Sequence, residues 1–200
     1  MIGSRMNNNG LTLIELMIVL TMLAILVTVG GPSFSGFIRE GRIKSGTRAM
    51  AVSIQTARLK AISGNRRCYL DFAPGSLTPA DSFYTIWLDT NGNHIYDTGE
   101  SDSTRLALTE TKSGFSGFML PWGVSFGVGG TSPPTVGPDA GAIPADGVDF
   151  GGGDMIWFNS RGEGTAGSVF ITSENGSNYA VTVSSLGAVR TWRWEDNQWK

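Results

Sequence analysis

Positions 11–31 form an almost unbroken apolar run, and after it the apolar residues thin out to helical spacing and then to strand alternation. As a helix the run would be ~32 Å long, a match for a bilayer core of ~30 Å. It is too long for the 7 to 15 apolar residues, roughly, of a secretory signal core. Pro32 closes the run and is expected to kink or locally melt the helix, because proline lacks an amide donor and clashes with the preceding turn. Beyond it Met50, Ala51, Ile54, Ala57, Ala61 and Ile62 recur three and four residues apart, the period of an amphipathic helix. Gly64 and Asn65 suit its C-cap, so it should end near Ser63.

From residue 67 onward the pattern changes to period two. Strands are expected at 67–72, 83–88, 105–108, 124–128, 155–159, 169–172, 179–184 and 189–194. Asn175-Gly176 and Leu186-Gly187 mark tight turns between them. The result is an antiparallel meander whose apolar face packs on the helix, an α+β fold. Residues 127–153, rich in Gly and Pro, read as a long surface loop. The organisation is therefore a polar N-terminal stretch at 1–10, an apolar helix of membrane length at 11–31, an amphipathic continuation at 32–64 and an antiparallel β head at 65–200.

Composition changes this picture little. The chain has 200 residues, 16% charged, with 28 Gly, a formal net charge of -2 and a single cysteine. Such a chain builds one ordinary core, has no excess of positive charge for nucleic acid, and can form no disulfide within itself. Cys68 is expected to be a small buried apolar residue. With one His and one Cys, and no Ser-His-Asp or paired-carboxylate spacing, the chain offers little for an enzyme. Gly151-Gly152-Gly153 lacks the Lys and Ser/Thr of a phosphate loop.

Inside the apolar run stands one charge, Glu15, four residues after Leu11. An ionisable group in a membrane segment needs a partner. Cleavage between Gly10 and Leu11 would supply one, a new α-amino group a helical turn away or in a neighbouring subunit. Gly10-Leu11-Thr12-Leu13-Ile14-Glu15-Leu16 resembles the type IV prepilin signature. That resemblance implies removal of residues 1–10 as a leader by a prepilin peptidase, N-methylation of Leu11, and an assembly role for Glu15. It also implies a single-pass bacterial inner-membrane protein with its head in the periplasm. Arg39, Arg42, Lys44 and Arg48, with only Glu40 opposed, would on the positive-inside rule place that head in the cytoplasm. The processing motif overrides this reading.

Further along, Ala57-Arg58 with Ala61-Ile62, Ile156-Trp157-Phe158 with Arg161-Gly162, the segment Gly167-Ser168-Val169-Phe170-Ile171-Thr172, and Val181-Thr182-Val183-Ser184 with Gly187 resemble the GspH/FimT family of minor pseudopilins and pilins. The family implies a subunit of the complex that initiates a type II secretion pseudopilus or type IV pilus. Its partners would be other minor and major pilins or pseudopilins, the inner-membrane assembly platform and lipid. The family also implies an alternative, DNA binding for uptake in natural transformation through a Gly-Arg-x-Arg motif. Here the matching residues are Gly187-Ala188-Val189-Arg190, without the first arginine; Arg190 and Arg193 would have to share a face of the last strand to grip a nucleic acid.

One loop has the look of a cation site. Asp89, Asn91, Asn93, Asp97 and Glu100 stand at positions 1, 3, 5, 9 and 12 of a calcium-loop pattern, and oxygen ligands suit that ion. His94 occupies the place where the pattern wants Gly, and the same residues are ordinary turn formers. The expectation is a decorated loop with no resident cofactor, calcium being the alternative.

Overall fold

The computed structural model describes residues 12–97, 100, 110–151 and 153–200; of residues 29–34 and 110 only the backbone is described. The expected cleavage site at Gly10 and Leu11 and the expected strand at 105–108 lie outside the described residues.

One helix, α1, runs from Leu13 to Gly64. Pro32, expected to kink or melt it, does not end it: the loss of one amide donor is local, and the turns on either side carry the helix on. The C-terminus is where the sequence placed it. Asn65 adopts a left-handed φ of 49°, its N–H donates to Ile62 O, and Arg66 N–H donates to Ala61 O, the two bonds of a Schellman cap. The chain divides into two compact units, one ending at Ile38 and one comprising Arg39–Lys200.

In the second unit the inner face of α1 is Ile43, Met50, Ile54, Ala57 and Ala61, all fully buried, at spacings of one apolar stripe. Around it stand two antiparallel sheets rather than the single meander expected. The first contains β1 (Cys68–Asp71), β2 (Phe83–Leu88), β3 (Glu110–Lys112), β4 (Phe115–Met119) and β7 (Met155–Phe158), in the order β3-β4-β2-β1-β7. The second contains β5 (Val124–Phe126), β8 (Gly167–Ser173), β9 (Asn178–Val183), β10 (Val189–Glu195) and β11 (Gln198–Trp199), in the order β11-β10-β9-β8-β5, with β6 (Val148–Asp149) also paired to β8. Register alternation sends Leu70, Ile156 and Phe158 from the first sheet, and Val169, Ile171, Val181 and Val183 from the second, into one core with α1. Cys68 is fully buried in this core.

The sheets also bury part of their outer faces, each under a loop. The described residues of 127–153 are more than a bare surface loop: Val148 and Phe150 join the inner core, where Phe150 stacks on Phe72, while over the outer face of the second sheet Val136 accepts a hydrogen bond from Trp199 Nε1. Trp199 in turn lies 5.9 Å from Phe170, ring to ring. Over the first sheet, the loop after β2 returns across Tyr69 and Trp87, which stack at 4.2 Å. His94 meets Tyr69, and Tyr96 meets Trp87 and Phe115.

Candidate functional site: assembly surfaces

The first turn of α1 carries Glu15. Thr12 Oγ1 accepts the Glu15 N–H at 3.3 Å, so Thr12 acts as N-cap and Glu15 occupies the third helical position, where a carboxylate also favours the helix dipole. This local role was missed in the sequence, although the Thr-x-x-Glu spacing advertises it. The side chains from Leu13 through Val27 are exposed, apolar ones included; Leu13 is 80% and Val27 70% accessible. The hydroxyls of Thr21 and Thr28 donate back to carbonyls three and four residues earlier, which leaves neither seeking water. Among the described residues no helix is long and apolar enough to cross a membrane; the apolar run in the sequence also includes Leu11 and 29–31, whose side chains are not among those described.

Where α1 enters the second unit, Glu40 forms the centre of a polar cluster. Its Oε1 accepts from Tyr179 OH at 2.9 Å and pairs with Arg193 at 3.2 Å and Lys44 at 3.4 Å; its Oε2 accepts from Ser177 Oγ at 3.0 Å. Partial burial pushes the Glu40 carboxyl up, but the hydrogen bonds from Tyr179 and Ser177 and the charge of Arg193 outweigh this and hold it below its ordinary value. Burial first, and then the bond to Glu40, raise the Tyr179 phenol. In the sequence Glu40 was visible only as the one acid among Arg39, Arg42, Lys44 and Arg48.

A second junction ties α1 to the loops beyond β7 and β9. Arg58 Nε donates to Gly162 O at 2.9 Å and its Nη2 to Leu186 O at 3.2 Å. Gly187 has φ 76° and a Cβ there would stand 2.4 Å from both Arg58 Nε and Gly162 O. The scattered residues that carried the family resemblance, Arg58, Gly162 and Gly187, thus meet in one clamp.

Arg190 and Arg193 do not share a face. Three residues apart on a strand they point to opposite sides: Arg193 pairs with Tyr179 across β9 and turns toward Glu40, whereas Arg190 pairs with Thr182. Trp192, on the Arg190 side, donates from Nε1 to Thr182 Oγ1. The alternative of a one-sided grip on DNA by Arg190 and Arg193 does not fit this alternation.

In the described part of the loop at residues 89–100, the polar atoms of the five candidate ligands are engaged in hydrogen bonds within the loop, and of the five only Asn91, Asn93 and Asp97 join one another side chain to side chain. Asp89 accepts the N–H groups of Gly92 and His94 and contacts the His94 ring at 2.9 Å. Burial raises the Asp89 carboxyl, and these bonds overcome it and hold the group below its usual range. Asn91 and Asn93 both donate to Asp97 Oδ2, while Glu100 accepts from Thr90 N, Thr90 Oγ1 and Asp97 N. His94, at the position where the pattern wants Gly, takes a φ of 63°. Among the described residues no group of His, Cys, Asp and Glu is arranged to hold a metal ion.

A family model for the prokaryotic N-terminal methylation motif matches residues 5–31, and one for the type II transport protein GspH matches residues 46–187. The pilin-like protein PilA1 of Thermus thermophilus is 33% identical over 95 residues, 48% of this chain and 57% of that protein, so the chain spans little more than half the length of that relative. Two structures of the minor pseudopilin EpsH from the Vibrio cholerae type 2 secretion system align with TM-scores of 0.44. They are 12% and 14% identical, and the alignments cover 75% and 77% of this chain and 95% and 94% of those chains.

Proposed function

Because the chain belongs to the GspH family of type II transport proteins, we infer that it is a minor pilin-like structural subunit, built into a fibre through its N-terminal helix. The observation that carries this reading is the succession, in one chain, of an N-terminal methylation motif over residues 5–31 and the GspH region over 46–187. In this proposal a prepilin peptidase cuts between Gly10 and Leu11 and methylates Leu11. The apolar helix holds the subunit in the inner membrane, with the head outside the cytoplasm, until it leaves lipid for the fibre. The exposed apolar side chains of its described part support this. Packing against neighbouring helices must replace lipid, because a bilayer provides little hydrophobic drive between helices. Glu15 then neutralises the new α-amino group, and other pilin-like subunits at the fibre tip are the partners of the head.

Intact mass and N-terminal peptide analysis of protein from membranes that contain a prepilin peptidase tests the first step. The expected product begins at methylated Leu11; retention of Met1 or Met6 beside active peptidase would overturn the reading. Glu15→Leu is expected to leave a stable, inserted chain that no longer co-purifies with its partner subunits. Unchanged co-purification would remove the carboxylate from the assembly step.

A further inference from the structure

β10 has an open edge along which a groove runs, and its backbone is not fully paired. Arg193 exchanges both of its main-chain hydrogen bonds with Lys200, at 2.8 and 2.9 Å, on the side away from β9. Backbone groups alternate sides along a strand, so Thr191 and Val189 present their N–H and C=O groups on that same edge, and their pairing with Val181 and Val183 is of the non-hydrogen-bonded kind. Among the described residues no backbone or side-chain group answers them. Unpaired edge groups of this kind are a template for another strand.

The groove beside this edge has two ends of different chemistry. At one, a hollow of about 300 Å³ is lined by Lys44, Arg48, Arg193 and Lys200, with Thr191 and Trp192 between them. At the other, a hollow of about 360 Å³ is lined by Gln55, Arg58, Leu59, Gly187, Ala188 and Val189, the Arg58 guanidinium being held by Gly162 O and Leu186 O. Lys44, Arg48, Gln55 and Leu59 recur at helical spacing along one flank of α1, so a single stripe forms the wall of both. Arg48 to Leu59 spans about 16 Å of helix and Arg193 to Val189 about 13 Å of strand, which keeps wall and edge in step over four or five added residues. No Asp or Glu side chain lines either hollow. Glu40, Glu195 and Asp196, which pair with Arg193, Lys44 and Lys200, stand outside the lining.

We propose that this groove takes an extended, carboxylate-bearing segment of a partner subunit, added as a strand to the open edge of β10. The main chain of the segment would pair with Thr191 and Val189; its acidic side chains would meet Arg48 and its neighbours, and its apolar ones would cover Leu59 and Val189. Main-chain pairing gives such a site affinity, and the pockets for alternate side chains give it selectivity. The proposal rests on the reading of the chain as a subunit of a multi-chain assembly, but it concerns the head alone. N-terminal processing can succeed or fail independently of it.

The test uses the full chain in detergent micelles and a labelled hexapeptide, Glu-Val-Glu-Val-Thr-Val, blocked at both ends. Anisotropy should report saturable binding, and hydrogen exchange should slow at Thr191 and Val189. Thr191→Pro removes an edge donor that β9 does not use, and it should weaken binding about tenfold. Arg48→Glu, an exposed substitution, should weaken it by a similar factor, and a peptide with Lys in place of Glu should not bind. Unchanged melting of both variants separates these losses from unfolding. No binding, or equal binding by Thr191→Pro, overturns the proposal. So does protection of Thr191 and Val189 that grows with protein concentration without peptide, which would make a second copy the occupant. Protection by a single-stranded oligonucleotide but not by the peptide would make the groove a nucleic-acid site and likewise overturn it.

Discussion

The two parts of α1 obey different rules although they belong to one helix. From Leu13 to Val27 its apolar side chains point in every direction and all are exposed. From Ile43 to Ala61 one stripe is fully buried, and the opposite flank carries Lys44, Arg48 and Gln55. A helix apolar all round has no face to prefer and draws its stability from whatever surrounds it, whereas an amphipathic helix is fixed by the core it completes. In the proposed assembly the first part would exchange its surroundings, whereas the second stays with the core it completes.

The largest effect should come from deleting the same kind of side chain in each part. Ile54→Ala removes fully buried methylenes and should cost the head roughly 3 kcal/mol, read by denaturant unfolding. Leu20→Ala, in the exposed run, should leave that transition within ~0.5 kcal/mol of the parent. Equal losses would mean that the first part is also packed into the head, and the comparison would fail. A smaller loss, about 1–3 kcal/mol, is expected for Gly187→Ala, because a left-handed backbone is forced on a side chain that also strikes Arg58 and Gly162. Thermal melting of the variant beside Arg58→Ala would tell whether clamp and turn act as one unit: if they do, the double variant loses less than the sum.

Much of this architecture was legible before any coordinates, and the reasons are local. The change from period 3.6 to period two after Gly64 placed the helix end, and β2 and the beginning of β10 fall where alternation put them. Gly176 and Gly187 both have positive φ and close hairpins where their sequence contexts placed tight turns, each with a three-residue loop. What could not be read depends on distant pairing. β1 joins β7 across a long stretch of sequence, and it is this pairing that divides the strands between two sheets. The hairpin of β3 and β4 was missed because its strands are short, and one contains Gly117 where alternation would want a side chain. Val148 and Phe150 were lost in a stretch rich in Gly and Pro, although they fill the core. In the candidate sites, Glu15 stood out because it is the lone charge in an apolar run. Glu40 did not, because a carboxylate among four cations on a surface helix is commonplace; only the fold delivers Tyr179 and Arg193 to it. The distinction between Arg190 and Arg193 required the strand register.

The smallest expected effect belongs to Glu40, which lies just where the second part of α1 begins. Its carboxyl titrates below the ordinary value in the folded head, so the folded state holds the ionised form more tightly than the unfolded chain does. The resulting stability is fully present above the unfolded carboxylate pKa, ~4.5, and is lost as the pH falls through the lower folded value. Because the group is partly exposed and its ion pairs are screened, the increment should be no more than about 1 kcal/mol. Glu40→Gln keeps the shape and one acceptor for Tyr179 but cannot be ionised, so its stability should lie below the parent at neutral pH and converge with it as the pH falls through the lowered folded value. Unfolding curves across that range decide the matter. Parallel pH profiles would mean that the cluster is held by shape alone, and the charge of Glu40 would then have no part in anchoring the helix to the second sheet.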